Sequence, residues 1–164
     1  MSKHFLRQLA DKLPHRLIRF GMNLWPPFLG AGIKVVEISS DWRHIDTRLK
    51  LHWYNKNLVG THFGGSIFSL VDAFPMIMLI RHLGSNYIVW DKAATIQFKK
   101  PGRTTISASF TFSQEEIENI KTKADLNEKY IFDYPVDVKD IDNNIIATVT
   151  KTIYVRRKVQ SSNE

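Results

Sequence analysis

The stretch Gly60-Thr61-His62-Phe63-Gly64-Gly65-Ser66-Ile67-Phe68-Ser69-Leu70-Val71-Asp72 decides how this chain is read. From Gly64 to about His82 no polar face interrupts the apolar residues. Ile67, Phe68, Leu70, Val71, Phe74, Met76, Ile77, Met78, Leu79 and Ile80 point in every helical direction, which predicts a helix buried on nearly all sides. Only Gly65, Ser69 and Asp72, spaced i, i+4 and i+7, fall on one narrow stripe. A carboxylate on such a helix is expected to lose hydration, so it must find a counter-charge or hydrogen bonds. A lone buried acid on a stripe of small residues is where chemistry is sought first. Pro75 lies inside the run and either kinks the helix one turn past Asp72 or starts a new one.

On the N-terminal side, residues 2–21 carry Phe5, Leu6, Leu9, Leu13 and Leu17 at near-helical spacing, with Lys and Arg between them. This predicts a basic amphipathic helix, open to a break at Pro14, that either docks on its own domain or lies on a membrane surface. Trp25-Pro26-Pro27 ends the segment. Strands are expected over residues 33–39 and 43–51, the second alternating Ile45, Thr47, Leu49 and Leu51 against Asp46, Arg48 and Lys50. Beyond the helix, residues 87–99 and 104–113 read as paired strands joined by a type II turn at Pro101-Gly102. Ser113-Gln114-Glu115-Glu116 is a capping box that opens a surface helix with Ile117, Ile120 and Ala124 inward. A hairpin over 130–139 and 145–156 turns at Asp142-Asn143-Asn144.

Strands on both sides of one all-apolar helix argue for an α+β domain whose antiparallel sheet wraps that helix. The expected organisation is an amphipathic segment over 1–29, one domain over 30–158 and a disordered tail over 159–164. At 164 residues the chain can build a core without metal or disulfide staples, and it contains no Cys, which fits a reducing compartment. No signal-peptide core or uninterrupted apolar span is evident, so a cytoplasmic location is expected. With 23 basic and 16 acidic residues, the net charge of +7 suits an anionic partner. Basic clusters lie at 16–19, 99–103 and 151–158. The six histidines show no metal-ligand spacing on a predicted helix, so no metal is expected.

These features resemble the hotdog fold, in which a curved antiparallel sheet wraps one long central helix. Within it the chain is most similar to acyl-CoA thioesterases of the phenylacetyl-CoA type. Asn57, Gly60-Thr61, Gly64-Gly65 and Asp72 stand at that family's spacings, and the resemblance covers about residues 30 to 157. It also resembles an uncharacterised bacterial branch marked by Val89-Trp90-Asp91-Lys92-Ala93-Ala94 and Lys100-Pro101-Gly102-Arg103. One departure stands out: Phe63 occupies the position where the thioesterases carry a His.

The resemblance implies thioester hydrolysis, with Asp72 as base or nucleophile and Asn57 holding the attacking water. The helix end at Gly64 and Gly65 supplies orphan N–H groups for the developing oxyanion. Eight residues at the helical rise separate Gly64 from Asp72 by about 12 Å, so no single carbonyl touches both. A working site must therefore pair the glycine end of one helix with Asp72 of another, in a homodimer or a dimer of dimers. His62 or Phe63 would flank the thioester, and Ser69 would bond either Asp72 or the helix backbone. Lys99, Lys100 and Arg103, or Arg156 and Arg157, would meet the phosphates of coenzyme A, which enters as part of the substrate rather than as a cofactor. Phe74, Met76 and Met78 either line an acyl tunnel or fill the core. Asp91 and Lys92 fall on opposite faces of their strand, and which of them points inward is left open. Phe63 keeps a second function open, a non-catalytic acyl-CoA or fatty-acid binding protein. Charge alone suggests nucleic acid, but no recognition helix or aromatic platform accompanies it, so no nucleic-acid partner is expected.

Overall fold

Residues 13–158 are described by a computed structural model. Phe5, Leu6 and Leu9 of the expected amphipathic helix, and the expected tail over 159–164, lie outside them. Helices α1 (His15–Asn23) and α2 (Pro26–Ala31) lead into strands β1 (Ile33–Ile38) and β2 (His44–Leu49). Helices α3 (Gly64–Asp72) and α4 (Phe74–Leu83) follow, then β3 (Tyr87–Phe98), β4 (Ile106–Thr111), α5 (Gln114–Leu126), β5 (Tyr130–Asp140) and β6 (Ile145–Arg157). Pro14 stands at the N-cap of α1. Pro26 and Pro27 open α2 rather than merely ending the segment, because proline's fixed φ suits the first helical turn. Phe28 of α2 is buried against Phe74, so this end of the expected amphipathic segment contributes to the core instead of standing apart from it.

Six antiparallel strands form one sheet in the order β1-β2-β4-β5-β6-β3. Its inward residues, among them Ile45, Leu49, Ile106, Phe110, Val149 and Ile153, are fully buried with Leu70, Val71, Phe74, Met78 and Leu79 of the central helices. This is the hotdog arrangement. Gly64–Leu83 is long and apolar enough to cross a membrane, but half of it is buried inside the fold, where it serves as the core helix. The run breaks only at Ala73, which keeps helical dihedrals, so Pro75 makes a kink immediately after Asp72.

One expected pairing is overturned. β3 and β4 do not form a hairpin: β3 pairs only with β6, while β4 lies between β2 and β5. Residues 99–105 instead arch across the sheet from its edge. Gly102 lacks the positive φ that a type II turn demands. It is small for another reason, since a Cβ there would lie 3.0 Å from His62 Cδ2 and 3.3 Å from Ile146 Cγ2. The capping box at Ser113 and Glu116 is closed in both directions, and Ile117, Ile120 and Ala124 face inward as expected. The β5–β6 hairpin turns where expected, with Asp140 accepting from the backbone N–H groups of Asp142 and Asn144.

Candidate active site at the two ends of helix α3

The loop before α3 is built around Asn57. Its Oδ1 accepts from the backbone N–H groups of Val59 and Thr61, at 3.1 and 2.9 Å. Its Nδ2 donates to Thr61 Oγ1 at 2.8 Å and the His62 carbonyl at 3.3 Å. Every polar atom of the side chain is thus spent on loop geometry, in the Asx manner, rather than left to hold a water.

His62 is 3% exposed. Its backbone N–H donates to the Gly102 carbonyl at 2.9 Å, and Nε2 lies 2.8 Å from the Thr104 carbonyl. Burial pulls its pKa below the usual histidine value, against the opposing pull of the Thr104 carbonyl. His62 is therefore neutral, donates from Nε2, and locks the loop to the 99–105 arch. Nδ1 is buried without a hydrogen-bond partner among the described residues.

Phe63 precedes the helix and is 56% exposed, and its ring covers Gly65. Phe98, at the end of β3, covers Gly64. The space freed by the two glycines is taken by aromatic rings of the same chain. A cavity of about 450 Å³ opens beside this helix tip, lined by Asn57, Thr61, His62, Gly64, Ile67, Phe98 and residues 99–102. Lys99 and Lys100 line it, with Lys99 Nζ donating to Gln97 Oε1 and Lys100 Nζ to Asn144 Oδ1. Arg103 is exposed but outside the lining. Arg156 and Arg157 pair with Ile88 and Tyr87, at the opposite end of β3 from Phe98, far from this cavity. Phe74 and Met78 are fully buried core residues, Phe74 stacking on Phe110 at 5.1 Å.

At the other end of α3, Asp72 is not withdrawn from water as its helix predicted: its side chain is 51% exposed. Among the described residues β3 is an edge strand, with no neighbour on its side away from β6. Ser69 bonds the Gly65 carbonyl at 2.9 Å rather than Asp72. The partner of Asp72 is Lys151, whose Nζ lies 2.5 Å from Asp72 Oδ1 while its side chain is only 1% exposed. The same ammonium lies 3.2 Å from Asp91 Oδ2 and 5.3 Å from the centre of the Phe68 ring. Asp72 Oδ2 has no bond among the described residues.

Asp91, not Lys92, is the inward member of its pair; Lys92 is exposed. A bulge between Asp91 and Ala93 shifts the register against β6 at this point. Burial raises the Asp91 pKa, with the Lys151 ammonium pulling it back, and Oδ1 is buried without a partner among the described residues. The sequence reading missed Lys151 by grouping it with the basic cluster at 151–158. The signal was present: Ala147, Val149, Lys151, Ile153 and Val155 share the inward face of β6, and Lys151 is the one polar residue in that row. Among the described residues no group of three or more metal-ligating side chains occurs.

Residues 15–155 match the family described as a domain of unknown function, DUF4442. The chain belongs to the DUF4442 family. No curated protein matches the sequence. Among solved structures the DUF4442 chain is similar to PA5026 of Pseudomonas aeruginosa, a protein of unknown function described as a probable thioesterase. That likeness has a TM-score of 0.77 at 19% identity, over 89% of this chain and 97% of the other. It is also similar to the thioesterase HI1161 of Haemophilus influenzae, with a TM-score of 0.61 at 12% identity over 87% and 91% of the two chains. The PaaI protein of the E. coli phenylacetic acid degradation operon gives 0.56 at 14% identity over 85% and 90%. At these identities the likeness establishes the hotdog fold of the DUF4442 chain.

Proposed function

We propose that this DUF4442 protein hydrolyses acyl thioesters of coenzyme A or an acyl carrier. Asp72 acts as base or nucleophile, and the amide-rich tip of α3 receives the oxyanion. The observation that carries this reading is the division of labour along α3. Its tip opens onto a cavity flanked by Lys99 and Lys100, while its far end presents a carboxylate with one oxygen clamped and the other without a bond among the described residues. The resemblance of Asn57, Gly60-Thr61, Gly64-Gly65 and Asp72 to the thioesterase pattern, and the names of the structural neighbours, support the same class.

Because the two halves sit at opposite ends of one helix, each site is shared between two chains. The free edge of β3 suits that pairing. Lys92, Ala93, Ala94, Thr95 and Gln97 are exposed on a strand bonded only along its β6 side. An unpaired edge of this length invites a second strand. Antiparallel two-fold pairing along this edge would run the two β3 strands past one another, bringing Asp72 of one copy toward the helix tip of the other.

In the Mechanism this supports, Lys151 fixes Asp72 through Oδ1 and leaves Oδ2 to attack the thioester carbonyl or to take a proton from water. Charge growing on the carbonyl oxygen meets the N–H groups at the start of α3. Where Asp72 takes a proton from water, the water oxygen joins the carbonyl carbon, the C–S bond breaks and that proton passes to the thiolate. Where Asp72 attacks, the thiolate leaves an acyl–carboxylate anhydride, which water cleaves to free Asp72, the acid and one proton for the thiolate. Thiol release from short, aromatic and long acyl-CoA substrates tests the proposal, with Asp72→Asn expected to lower it by about 10²–10⁴-fold. A second reading is favoured by Phe63 and Phe98 lying over the glycine pair: a protein that holds acyl thioesters without cleaving them. Tight acyl-CoA binding without thiol release would select it.

A further inference from the structure

Helix α1 is amphipathic twice over. Ile18 and Met22 pack against the core, and Asn23 ties the helix to the backbone of Val35 with bonds of 3.0 and 2.7 Å. Its opposite side is also apolar. Leu17, Phe20 and Leu24 fall within about 60° of one another around the helix axis, with Leu13 just before the helix, and the four are 55%, 63%, 54% and 38% exposed. Trp25 and Leu29 extend the patch onto α2, at 49% and 51% exposed. Isolated exposed apolar residues are ordinary, but a continuous ridge of six is what a protein shows to a partner or a lipid surface.

The charge of the sequence that carries this ridge selects the occupant. Over residues 1–29, Lys3, Arg7, Lys12, Arg16 and Arg19 are balanced by Asp11 alone. The sequence before α1 repeats the composition, with Phe5, Leu6 and Leu9 among those basic residues. We propose that the outer face of α1, with Trp25 and Leu29, docks the protein on an anionic membrane surface. The apolar ridge enters the headgroup region and the basic residues meet lipid phosphates. A second copy of the chain is a poorer occupant, because a two-fold contact would bring together two segments that each carry five basic residues and one acid. Arg19 itself is turned toward β1, donating to the Val36 carbonyl at 2.6 Å. Trp25 at the end of the ridge suits the boundary between headgroups and acyl chains. The docking is independent of whether the protein cleaves thioesters.

Flotation of the full chain with phosphatidylcholine vesicles, with and without about one-third phosphatidylglycerol, tests this directly. Recovery with anionic vesicles should exceed that with neutral ones by about tenfold, and about 0.5 M salt should remove most of the difference. Leu17→Glu with Phe20→Glu places charge on exposed positions, so the thermal unfolding midpoint should hold while vesicle recovery falls at least about tenfold. Arg16→Glu should weaken binding to anionic vesicles alone. Absence of vesicle binding at low salt would overturn the proposal, as would binding undiminished by both variants. So would conversion of a larger species to a smaller one by Phe20→Glu in gel filtration, which would assign the ridge to a second copy.

Discussion

Lys151 Nζ lies 2.5 Å from Asp72 Oδ1, joining a lysine buried in the sheet to a carboxylate that is half in water. An ammonium removed from water needs counter-charge at close range, and two carboxylates supply it here, Asp72 from α3 and Asp91 from β3. Lys151 is the fixed point, since β6 holds it in register opposite Ala94 with strands on both sides. The buried cation thereby anchors the exposed acid.

Removing Lys151 should therefore cost the fold more than removing Asp72. Lys151→Met leaves Asp91 facing the interior without a cation, and breaking a buried pair on one side costs about 3–5 kcal/mol. Adding Asp91→Asn to the same chain should recover part of that loss, because the stranded carboxylate is gone. Urea unfolding of the single and double variants measures both. Equal stability of Lys151→Met and the unmodified chain would mean that the cluster does not brace the sheet.

The arch over residues 99–105 should tolerate little at Gly102. A Cβ there meets His62 Cδ2 at 3.0 Å, and His62 is held by the Gly102 and Thr104 carbonyls and cannot swing away. Gly102→Ala should destabilise by about 1–3 kcal/mol, the usual cost of overpacking. Thermal unfolding gives the answer, and an unchanged midpoint would show that the arch yields freely.

Much of this arrangement was legible in the residues themselves. The central helix showed as an apolar run with no polar face, the surface helix showed by its capping box, and the last hairpin by its turn residues. Pairing was legible only where a short turn dictated it. Pro101-Gly102 looked like such a turn, yet β6 takes β3 as its partner, and Gly102 is small because of His62, a contact between distant residues. Asp72 showed by its isolation on the helix, but its exposure depends on the sheet ending at β3, which no local pattern reveals. Lys151 was visible in the period-two row of β6 and was hidden by reading neighbouring charges as one cluster.

Acid should weaken the fold through His62. Burial lowers its pKa below 6.5, so the folded state prefers the neutral ring and the unfolded chain takes up the proton first. Its contribution is complete above pH 6.5 and is lost as pH falls from there through the lowered folded value. The unfolding midpoint should drop between pH 7 and pH 5, and His62→Gln should flatten that slope. Parallel slopes for the two proteins would assign the acid sensitivity elsewhere.

The edge of β3 should control assembly. Ala94→Asp places a charge on the exposed strand edge, which a second strand would have to cover. Gel filtration should then show a monomer, and thiol release should fall together with dimer content. A variant that remains dimeric and active would move the interface to another surface.

Co-expression of two defective chains tests the shared site most directly. One chain carries Asp72→Asn and keeps its helix tip; the other keeps Asp72 and carries Gly65→Val at the tip. Each homodimer should be inactive, while a mixed dimer regains one intact site, giving about a quarter of the unmodified activity on random pairing. Mixed dimers that form and release no thiol would contradict a site built from Asp72 of one chain and the glycine tip of the other.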